Sequence, residues 1–341
     1  MGNASWQCWP QSLAPASEMD LSVPPGLSPK RTLPQASALL PIPTDFIALS
    51  LETVTALKVR QARKHISTSK FITQLEEKAF HLLAPSSQEL YLRLGPFAYP
   101  RPMDSSRLEI NGLKDGSIYV GEVDDKHSPA GQGALFCIDG SLSEGPWTAG
   151  VLNGPGRLIH ANGDCFTGTW KQGQIEGFGR FLSASGASYE GQWLNNKQHG
   201  HGQEVWTDGA VYEGDFINGE KSGRGVFSWT NGCSYEGDFA SNTMEGFGIY
   251  TWPDQRKYEG DWKAGKMEGT GTFLYSDGRL YEGGFVDDLK DGEGVMTWPN
   301  GKVYRGRFVK GKMHGIGSLK TPEDTERRGE WREGKRLRWL D

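Results

Sequence analysis

Histidines that could bind a metal ion stand in glycine-rich stretches of the sequence. His199 and His201 flank Gly200, and His314 occupies the place equivalent to His199 further along the chain. Imidazole is a common zinc ligand, but a structural zinc site needs four converging ligands. No cysteine lies beside these histidines. We therefore interpret them as solvated turn residues and predict no metal site.

Other motifs could bind phosphate or calcium but lack essential parts. Gly-x-Gly recurs along the chain, whereas a dinucleotide-binding loop needs a third glycine three residues on, opening a helix. Gly202 is instead followed by Gln-Glu-Val-Trp, which is typical of a strand. The acidic run Asp287-Asp288-Leu-Lys-Asp291 lacks the alternating oxygen ligands and terminal Glu of an EF-hand. The sequence contains no G-x-S-x-G, HExxH or GxxxxGK[ST] motif, so we predict no catalysis, cofactor or small-molecule substrate.

Composition divides the chain near residue 100. Of 47 glycines, 44 follow that residue, and the net charge is about +2 before it and −7 after it. An acidic C-terminal bulk argues against binding to nucleic acid, because phosphates are neutralised by basic side chains. The sequence has no run of 18 apolar residues, no secretory signal pattern and no paired cysteine spacing among its four cysteines. These features predict a cytoplasmic protein with free thiols.

A repeat of 23 residues must position any functional side chain in residues 119–334. Its first position, numbered 0, is an aromatic residue followed two residues later by glycine. This position falls on Phe166, Tyr189, Tyr212, Tyr235, Tyr258, Tyr281 and Tyr304. The pattern extends back to Ser143 and, after one inserted residue, to Tyr119, and forward to a shortened unit at Arg327. The chain therefore has nine full units and a partial tenth.

The spacing within a unit predicts two β-strands. Aromatic or glycine residues occupy positions 0, +2 and +4, and again +13, +15 and +17, which is the period of two of a strand. Pairs such as Asp208-Gly209 at +19 and +20 predict a two-residue hairpin turn. The connection from +6 to +12 is longer and glycine-rich. The predicted fold is an all-β repeat array, an elongated, single-layer, twisted antiparallel sheet built as a hairpin meander.

The string Tyr-Glu-Gly-Asp-Phe/Trp-x-x-Gly-x-x-x-Gly-x-Gly, at 212–225 and 258–271, resembles the MORN repeat. The resemblance covers residues 119 to about 334. It implies a single-layer antiparallel sheet that is often paired with a second copy or covered by a partner helix. It also implies a scaffold role in membrane-contact structures, cytoskeletal assemblies, or the axonemes of cilia and flagella, and phospholipid binding has been proposed for the family.

An aromatic stripe is the strongest candidate for binding. Its rings either only fill the hydrophobic face and join neighbouring units, or leave an exposed groove for a partner helix or a second copy. Large exposed apolar patches usually mark interaction sites, and Tyr and Trp are enriched in binding hot spots. The candidate residues are Tyr189, Trp193, Trp206, Tyr212, Phe216, Trp229, Tyr235, Trp252, Tyr258, Trp262, Tyr281 and Trp298.

The first hundred residues divide into two parts. Residues 1–43 are rich in Pro and Ser and predict a disordered arm. Residues 44–100 predict a mainly helical region, with a helix at about 69–84 that ends at Pro85. Within it lies a basic segment, Lys58, Arg60, Arg63 and Lys64. This region either docks on the first repeats and hides aromatic surface, or binds an acidic partner or a membrane.

These observations predict a non-catalytic scaffold that binds a protein partner or itself. We expect it in the cytoplasm, in a cytoskeletal, ciliary or flagellar assembly. The alternative is a peripheral membrane protein that binds anionic phospholipid through the repeats and the basic segment, although the charge of −7 after residue 100 weighs against it. Residues 101–118 are a lead-in to the array, and 335–341 a C-terminal tail.

Overall fold

The computed structural model describes residues 79–323 and 325–340. The predicted arm at 1–43, the basic segment Lys58, Arg60, Arg63 and Lys64, and most of the helix predicted at 69–84 lie outside these residues. Contacts divide the chain into two units. Among the described residues, the first unit contains 79–175 and 181–184, and the second contains 176–180 and the residues from 185 onward.

The described residues of the first unit include the helix α1, a short 3₁₀ helix and seven strands. Its elements are α1 (Pro85–Leu94), a 3₁₀ turn (Ser105–Arg107), β1 (Leu108–Gly112), β2 (Ile118–Val123), β3 (Pro129–Phe136), β4 (Leu142–Thr148), β5 (Val151–Leu152), β6 (Gly154–Ile159) and β7 (Cys165–Lys171). A further strand, β8 (Gln174–Leu182), is divided between the two units. The strand pairs within the unit are antiparallel.

The second unit is a meander in which each strand pairs antiparallel with the next. Its strands are β9 (Ser188–Leu194), β10 (Lys197–Val205), β11 (Val211–Ile217), β12 (Glu220–Ser228), β13 (Ser234–Ala240), β14 (Thr243–Thr251), β15 (Lys257–Lys263), β16 (Lys266–Leu274), β17 (Leu280–Val286), β18 (Leu289–Thr297), β19 (Val303–Val309), β20 (Lys312–Lys320), β21 (Arg327–Arg332) and β22 (Lys335–Trp339). The predicted antiparallel hairpin array is confirmed within each unit.

Each repeat has one tight and one looser connection, but the structure exchanges the two positions that the sequence analysis assigned to them. The two-residue turn lies at +6 and +7, where Asn195 and Asn196 have φ of 49° and 66° between the paired residues Leu194 and Lys197. Two successive positive φ values give the primed turn whose twist matches the flanking strands. At the position where the tight turn was predicted, Gly209 alone has positive φ, 91°. That connection is a looser turn in which the Gly209 N–H donates to the Trp206 carbonyl.

The N-terminal helix also differs from the prediction. Pro85, predicted to end a helix, begins α1 instead, because proline lacks an N–H and fits the first helical position. Of the helix predicted at 69–84, the described residues 79 and 80 are helical and 81–83 form a turn. Around α1, Ala79, Leu83 and Leu90 pack into one core with Val120, Ala134, Phe136, Leu142, Ile159 and Cys165.

The predicted C-terminal tail is a strand over most of its length. Residues 335–339 form β22, which pairs with β21 through a turn at Glu333 and Gly334, both with positive φ. The partial tenth unit is therefore a complete hairpin. A pattern search misses this strand because its residues are mostly basic and carry no glycine pair.

Candidate protein-binding surface

One tyrosine and two glycines form the element that every regular repeat shares. The Tyr212 ring lies over Gly214 and Gly225, whose α-carbons pair across two strands. A β-carbon added to either glycine would lie 2.5 Å from the Tyr212 hydroxyl oxygen. That hydroxyl donates to the Asp215 carbonyl at 3.1 Å. This packing of a ring onto glycines is the arrangement known as aromatic rescue.

The same hydrogen bond recurs from position 0 to the carbonyl at +3. Its donors are Tyr119, Tyr189, Tyr212, Tyr235, Tyr258, Tyr281 and Tyr304, at 2.8–3.3 Å. Burial raises the pKa of every one of these phenols, to about 12 for Tyr304. The neutral hydroxyl is thus the form that the fold requires.

The +4 rings pack on both sides of each tyrosine and define the aromatic face, which comprises positions 0, +2, +4, +13, +15 and +17. Tyr212 contacts Phe216 of its own unit and Phe239 of the next, with ring centroids 5.2 and 5.1 Å apart and planes near perpendicular. Edge-to-face contact is a favourable geometry for aromatic pairs. Tyr212 has no exposed surface as a result. The rings at 0 and +4 therefore bury one another.

The twelve candidate residues separate into two groups by burial. Nine are buried, namely Tyr189, Trp193, Tyr212, Phe216, Tyr235, Trp252, Tyr258, Trp262 and Tyr281. Trp206, Trp229 and Trp298, all at position +17, are half-buried. Tyr275 occupies the same position and is also half-buried, although the sequence analysis did not select it. Among the twelve candidates, the rings that leave surface for another molecule are all at +17, although Trp252, also at +17, is buried.

The +17 rings from Trp206 to Tyr275, but not Trp298, belong to a continuous path of ring contacts. Successive centroids are 4.4–5.4 Å apart along the path from Trp206 through Phe227, Trp229, Tyr250, Trp252 and Phe273 to Tyr275. Basic side chains lie over several of these rings, as Arg279 does over Tyr275 at 4.5 Å. The row is thus held in place by its neighbours on both sides.

Acidic side chains at +3 and +10 hold turns and bulges. The Asp238 carboxylate accepts the Phe247 N–H at 3.0 Å, beside the bulge at Gly246, which has positive φ. The Glu245 carboxylate accepts the Ala264 N–H at 2.8 Å in the following turn. Sequence analysis missed these roles, although the recurrence of Asp after the +2 glycine was a usable signal.

The opposite face comprises positions −1, +1, +3, +12, +14 and +16. In the first unit α1 and its flanking residues cover this face and not the aromatic face, and the rest of the region predicted to dock lies outside the described residues. There Arg157 pairs with Glu144, and both are buried. Arg157 also donates to the Gly95 carbonyl and lies over the Tyr91 ring. Apolar residues of the first repeats point to this face and give the helix its packing surface.

The metal and calcium motifs have structural explanations. His199 and His201 flank Gly200 at an irregularity in the pairing of β10 with β9, and the His201 ring nitrogen lies 3.3 Å from an Asp215 oxygen. Asp288 accepts the Met267 N–H at 2.8 Å. No group of three potential metal ligands occurs among residues 79–323 and 325–340. Within the same ranges, no helix is long and apolar enough to cross a membrane.

Solved structures with similar backbone arrangements score low. The TCP10 domain of CPAP from Danio rerio has a TM-score of 0.34 and 10% sequence identity, over 68% of this chain and 99% of that chain. The TCP domain of SAS-4 from Drosophila melanogaster, in complex with a proline-rich motif of Ana2, has a TM-score of 0.27 and 10% identity, over 70% of this chain and 98% of that chain. Such scores support no conclusion about this chain. No curated protein matches it significantly.

The family comparison agrees with the repeat found in the sequence. The model of the MORN repeat matches eight consecutive segments, at 144–165, 166–188, 189–211, 212–234, 235–255, 258–278, 281–303 and 304–324. Together they cover more than half of the chain and correspond to the units that begin at Ser143 through Tyr304. The units at Tyr119 and Arg327 lie outside the matched segments. The chain belongs to the MORN repeat family.

Proposed function

We propose that this protein is a non-catalytic scaffold that binds a protein partner through the +17 row of its aromatic face. The row of half-buried rings carries the proposal, because it is the part of the aromatic face that another molecule can contact. Membership of a repeat family associated with scaffolds, and no matching catalytic family, support the absence of enzyme activity.

The partner contributes a helical segment or a second copy of the chain. Trp206, Trp229 and Trp298 occupy position +17 of different units. Because each unit contributes two strands, the +17 positions of successive units lie about 9.6 Å apart. Partly exposed tryptophan rings held rigidly by their neighbours have the properties of binding hot spots. The buried candidate rings hold the half-buried ones in place and are secondary contributors to binding.

We place the scaffold in a cytoskeletal, ciliary or flagellar assembly of the cytoplasm, on the family resemblance. Proximity labelling of the tagged full chain in its native cell type tests both partner and compartment. We expect cytoskeletal or ciliary neighbours to be labelled. Labelling confined to unrelated compartments contradicts this placement.

The binding surface is tested with Trp206→Ala and Trp229→Ala together. We expect the double variant to pull down less of the partner identified by proximity labelling than the unsubstituted protein does, while its circular dichroism spectrum stays largely unchanged. Phe178→Ala is the matched control, because this ring is 61% exposed but lies on the opposite face. Global unfolding of the double variant shows that the row only joins neighbouring units and does not bind.

Anionic phospholipid is a second candidate ligand, favoured by the charge of the last repeats. Position +1 is Glu in the units from Tyr189 to Tyr281 but Arg305 and Arg328 in the last two. Residues 302–341 contain 12 basic and six acidic residues. Lys58, Arg60, Arg63 and Lys64 are further candidates for contact with headgroups.

Sedimentation of the full chain with phosphatidylserine vesicles tests this candidate. Binding should weaken as salt rises, because salt screens exposed charges. Arg305→Gln with Arg328→Gln should reduce binding, whereas Arg256→Gln with Arg279→Gln serves as the control of equal charge. No sedimentation at low salt excludes lipid as the ligand.

A further inference from the structure

The opposite face of the second unit alternates acidic and apolar side chains from strand to strand. At the central row, Glu213 pairs with Val226, and Val226 pairs with Glu236 on its other side. The row then continues through Ile249, Glu259, Thr272, Glu282 and Val295. All four glutamates are exposed. A stripe of carboxylates therefore crosses the strands, with one carboxylate on every second strand.

Exposed apolar side chains accompany the carboxylates. Val226 is 41% exposed, and Phe247, on the same face of the next hairpin, is 48% exposed. Leu274 is exposed as well, one row away. Large exposed apolar side chains beside an ordered row of charge are a composition that suits an amphipathic partner.

Two of the glutamates have no counter-charge of their own. Glu213 accepts a hydrogen bond from Gln203, and Glu259 pairs with Lys257 at 2.8 Å. Glu236 and Glu282 make no ion pair with any residue in the described part of the chain. A basic partner would supply the missing charge at both positions.

The first unit demonstrates that this face accepts a helix. There α1 contacts β6, and Ser87 donates from its hydroxyl to the His160 carbonyl at 2.9 Å. The face below is apolar at Val120 and Leu142. In the second unit the +1 positions from Glu213 to Glu282 are exposed glutamates, whereas Glu144 at +1 in the first unit is already paired with Arg157. A helix bound to the second unit therefore needs basic residues where α1 needs none.

We propose that the opposite face of the second unit binds an amphipathic helix of a partner protein that carries Lys or Arg at every seventh position. Carboxylates on alternate strands recur at about 9.6 Å, and seven helical residues advance about 10.5 Å. Aliphatic residues three and four positions after each basic residue then meet Val226, Ile249 and Val295. The four glutamates span about 29 Å, which a helix of about 20 residues covers.

This site is separate from the aromatic face and goes beyond the proposed function. It selects for charge, because an acidic stripe repels anionic lipid and nucleic acid, and it sets a periodicity that a partner sequence must satisfy. A scaffold with both surfaces could hold two partners at once, one on each side of the same hairpins.

The test is a fluorescence anisotropy titration of the full chain with a designed 22-residue helical peptide. The peptide carries Lys at every seventh position and Leu three and four residues later, and its matched control has the same residues in shuffled order. We expect the periodic peptide to bind more tightly and its affinity to fall as salt rises. Glu236→Gln with Glu282→Gln should weaken binding by two- to five-fold per carboxylate, the effect of an exposed ion pair.

Two control variants separate charge from packing. Glu220→Gln with Glu323→Gln removes two exposed carboxylates outside this row and should leave affinity unchanged. Val226→Ser with Phe247→Ser should weaken binding while leaving its salt dependence intact. Equal binding of both peptides, or equal loss in the two Glu variants, overturns the proposal. Loss of a dimer in sedimentation velocity by Glu236→Gln with Glu282→Gln would assign the face to a second copy instead.

Discussion

The ammonium nitrogen of Lys221 lies 3.0 Å from a carboxylate oxygen of Glu204, and each side chain is only 11% exposed. The same nitrogen lies 4.5 Å from the centroid of the Trp206 ring. Glu204 lies on the aromatic face at position +15, and Lys221 reaches it from position +9 of the next unit. The next pair of units places Phe227 and Met244 there. The array therefore substitutes a charged pair for an apolar pair at one step of its core.

Removing one partner of this ion pair should leave an uncompensated buried charge. We predict that Lys221→Met lowers the free energy of unfolding by about 3 kcal/mol. Glu204→Phe combined with Lys221→Met should recover most of that loss, because it recreates the Phe227 and Met244 pair. Urea unfolding followed by circular dichroism of the full chain measures both. A double variant as unstable as the single one contradicts the prediction.

The contact of Tyr212 with its glycines predicts a steep cost for one methyl group. Gly225→Ala places a β-carbon within 2.6 Å of ring atoms and should destabilise the protein by about 3 kcal/mol. Gly219→Ala is the control, since nothing lies within 4 Å of its β-carbon and only its φ of 91° disfavours alanine, by about 1 kcal/mol. Thermal unfolding compares the two variants.

A double-mutant cycle identifies the cause. Tyr212→Ala alone is destabilising, but Gly225→Ala should add little once the ring is gone, because the clash has been removed. Additive losses in the double variant would show that Gly225 is needed for its backbone and not for the ring.

The strands can be predicted from the repeat, because its period of two and its glycine positions are local properties. The burial of the rings was less predictable. Tyr212 is covered by Phe239 of the next unit, a contact made across strands that no spacing within one unit reveals. The partial exposure of the rings at +17 likewise depends on contacts between strands and cannot be predicted from the spacing within one unit.

Turn type and helix placement depend on more than residue identity. Asn195 and Asn196 adopt positive φ because the paired strands demand a primed turn, whereas Asp208-Gly209, the stronger turn signal in sequence, needs only one. Pro85 is compatible with either end of a helix, and only the contacts of α1 determine which. The face that α1 covers is determined by apolar residues such as Val120 and Ile159, which do not belong to the aromatic pattern of the repeat.

A buried carboxylate in the first unit predicts a local response to acid. Glu122 accepts N–H groups of Asp104 and Gln132 and pairs with Arg101. Burial opposes ionisation, but the Arg101 hydrogen bond and the two amides outweigh it and lower the pKa of Glu122. An acid with a lowered pKa stabilises the fold above its unfolded pKa, about 4.3, and this stability is lost as pH falls through the folded value.

Hydrogen exchange at the amides of Asp104 and Gln132 measures this effect. We expect their protection to fall in acid while the amides of β12 and β13 stay protected. Glu122→Gln should abolish the protection at neutral pH as well, because the ion pair and its charge are gone. Protection of Asp104 that is insensitive to both changes would show that Glu122 does not hold this segment.

The repeated tyrosines predict that the second unit is sensitive to alkali. Unfolded tyrosine ionises near pH 10, but burial raises the pKa of each repeated tyrosine in the folded state, to about 12 for Tyr304. The folded form thus retains protons that the unfolded form releases, so stability is full below about pH 10 and falls above it. Each such tyrosine removes about 1.4 kcal/mol per pH unit in that range, and six of them occur from Tyr189 to Tyr304.

Tyr212→Phe separates the hydroxyl from the ring. Phe166 already occupies position 0 of another unit and is fully buried, so the ring alone fits this place. At neutral pH the variant should be less stable by about 1 kcal/mol, the value of the lost hydrogen bond to Asp215. One pH unit above 10 that difference should vanish or reverse, because phenylalanine has no proton to release on unfolding. Urea unfolding at both pH values measures it, and a deficit that stays constant with pH would show that Tyr212 ionises as readily in the folded state as in the unfolded one.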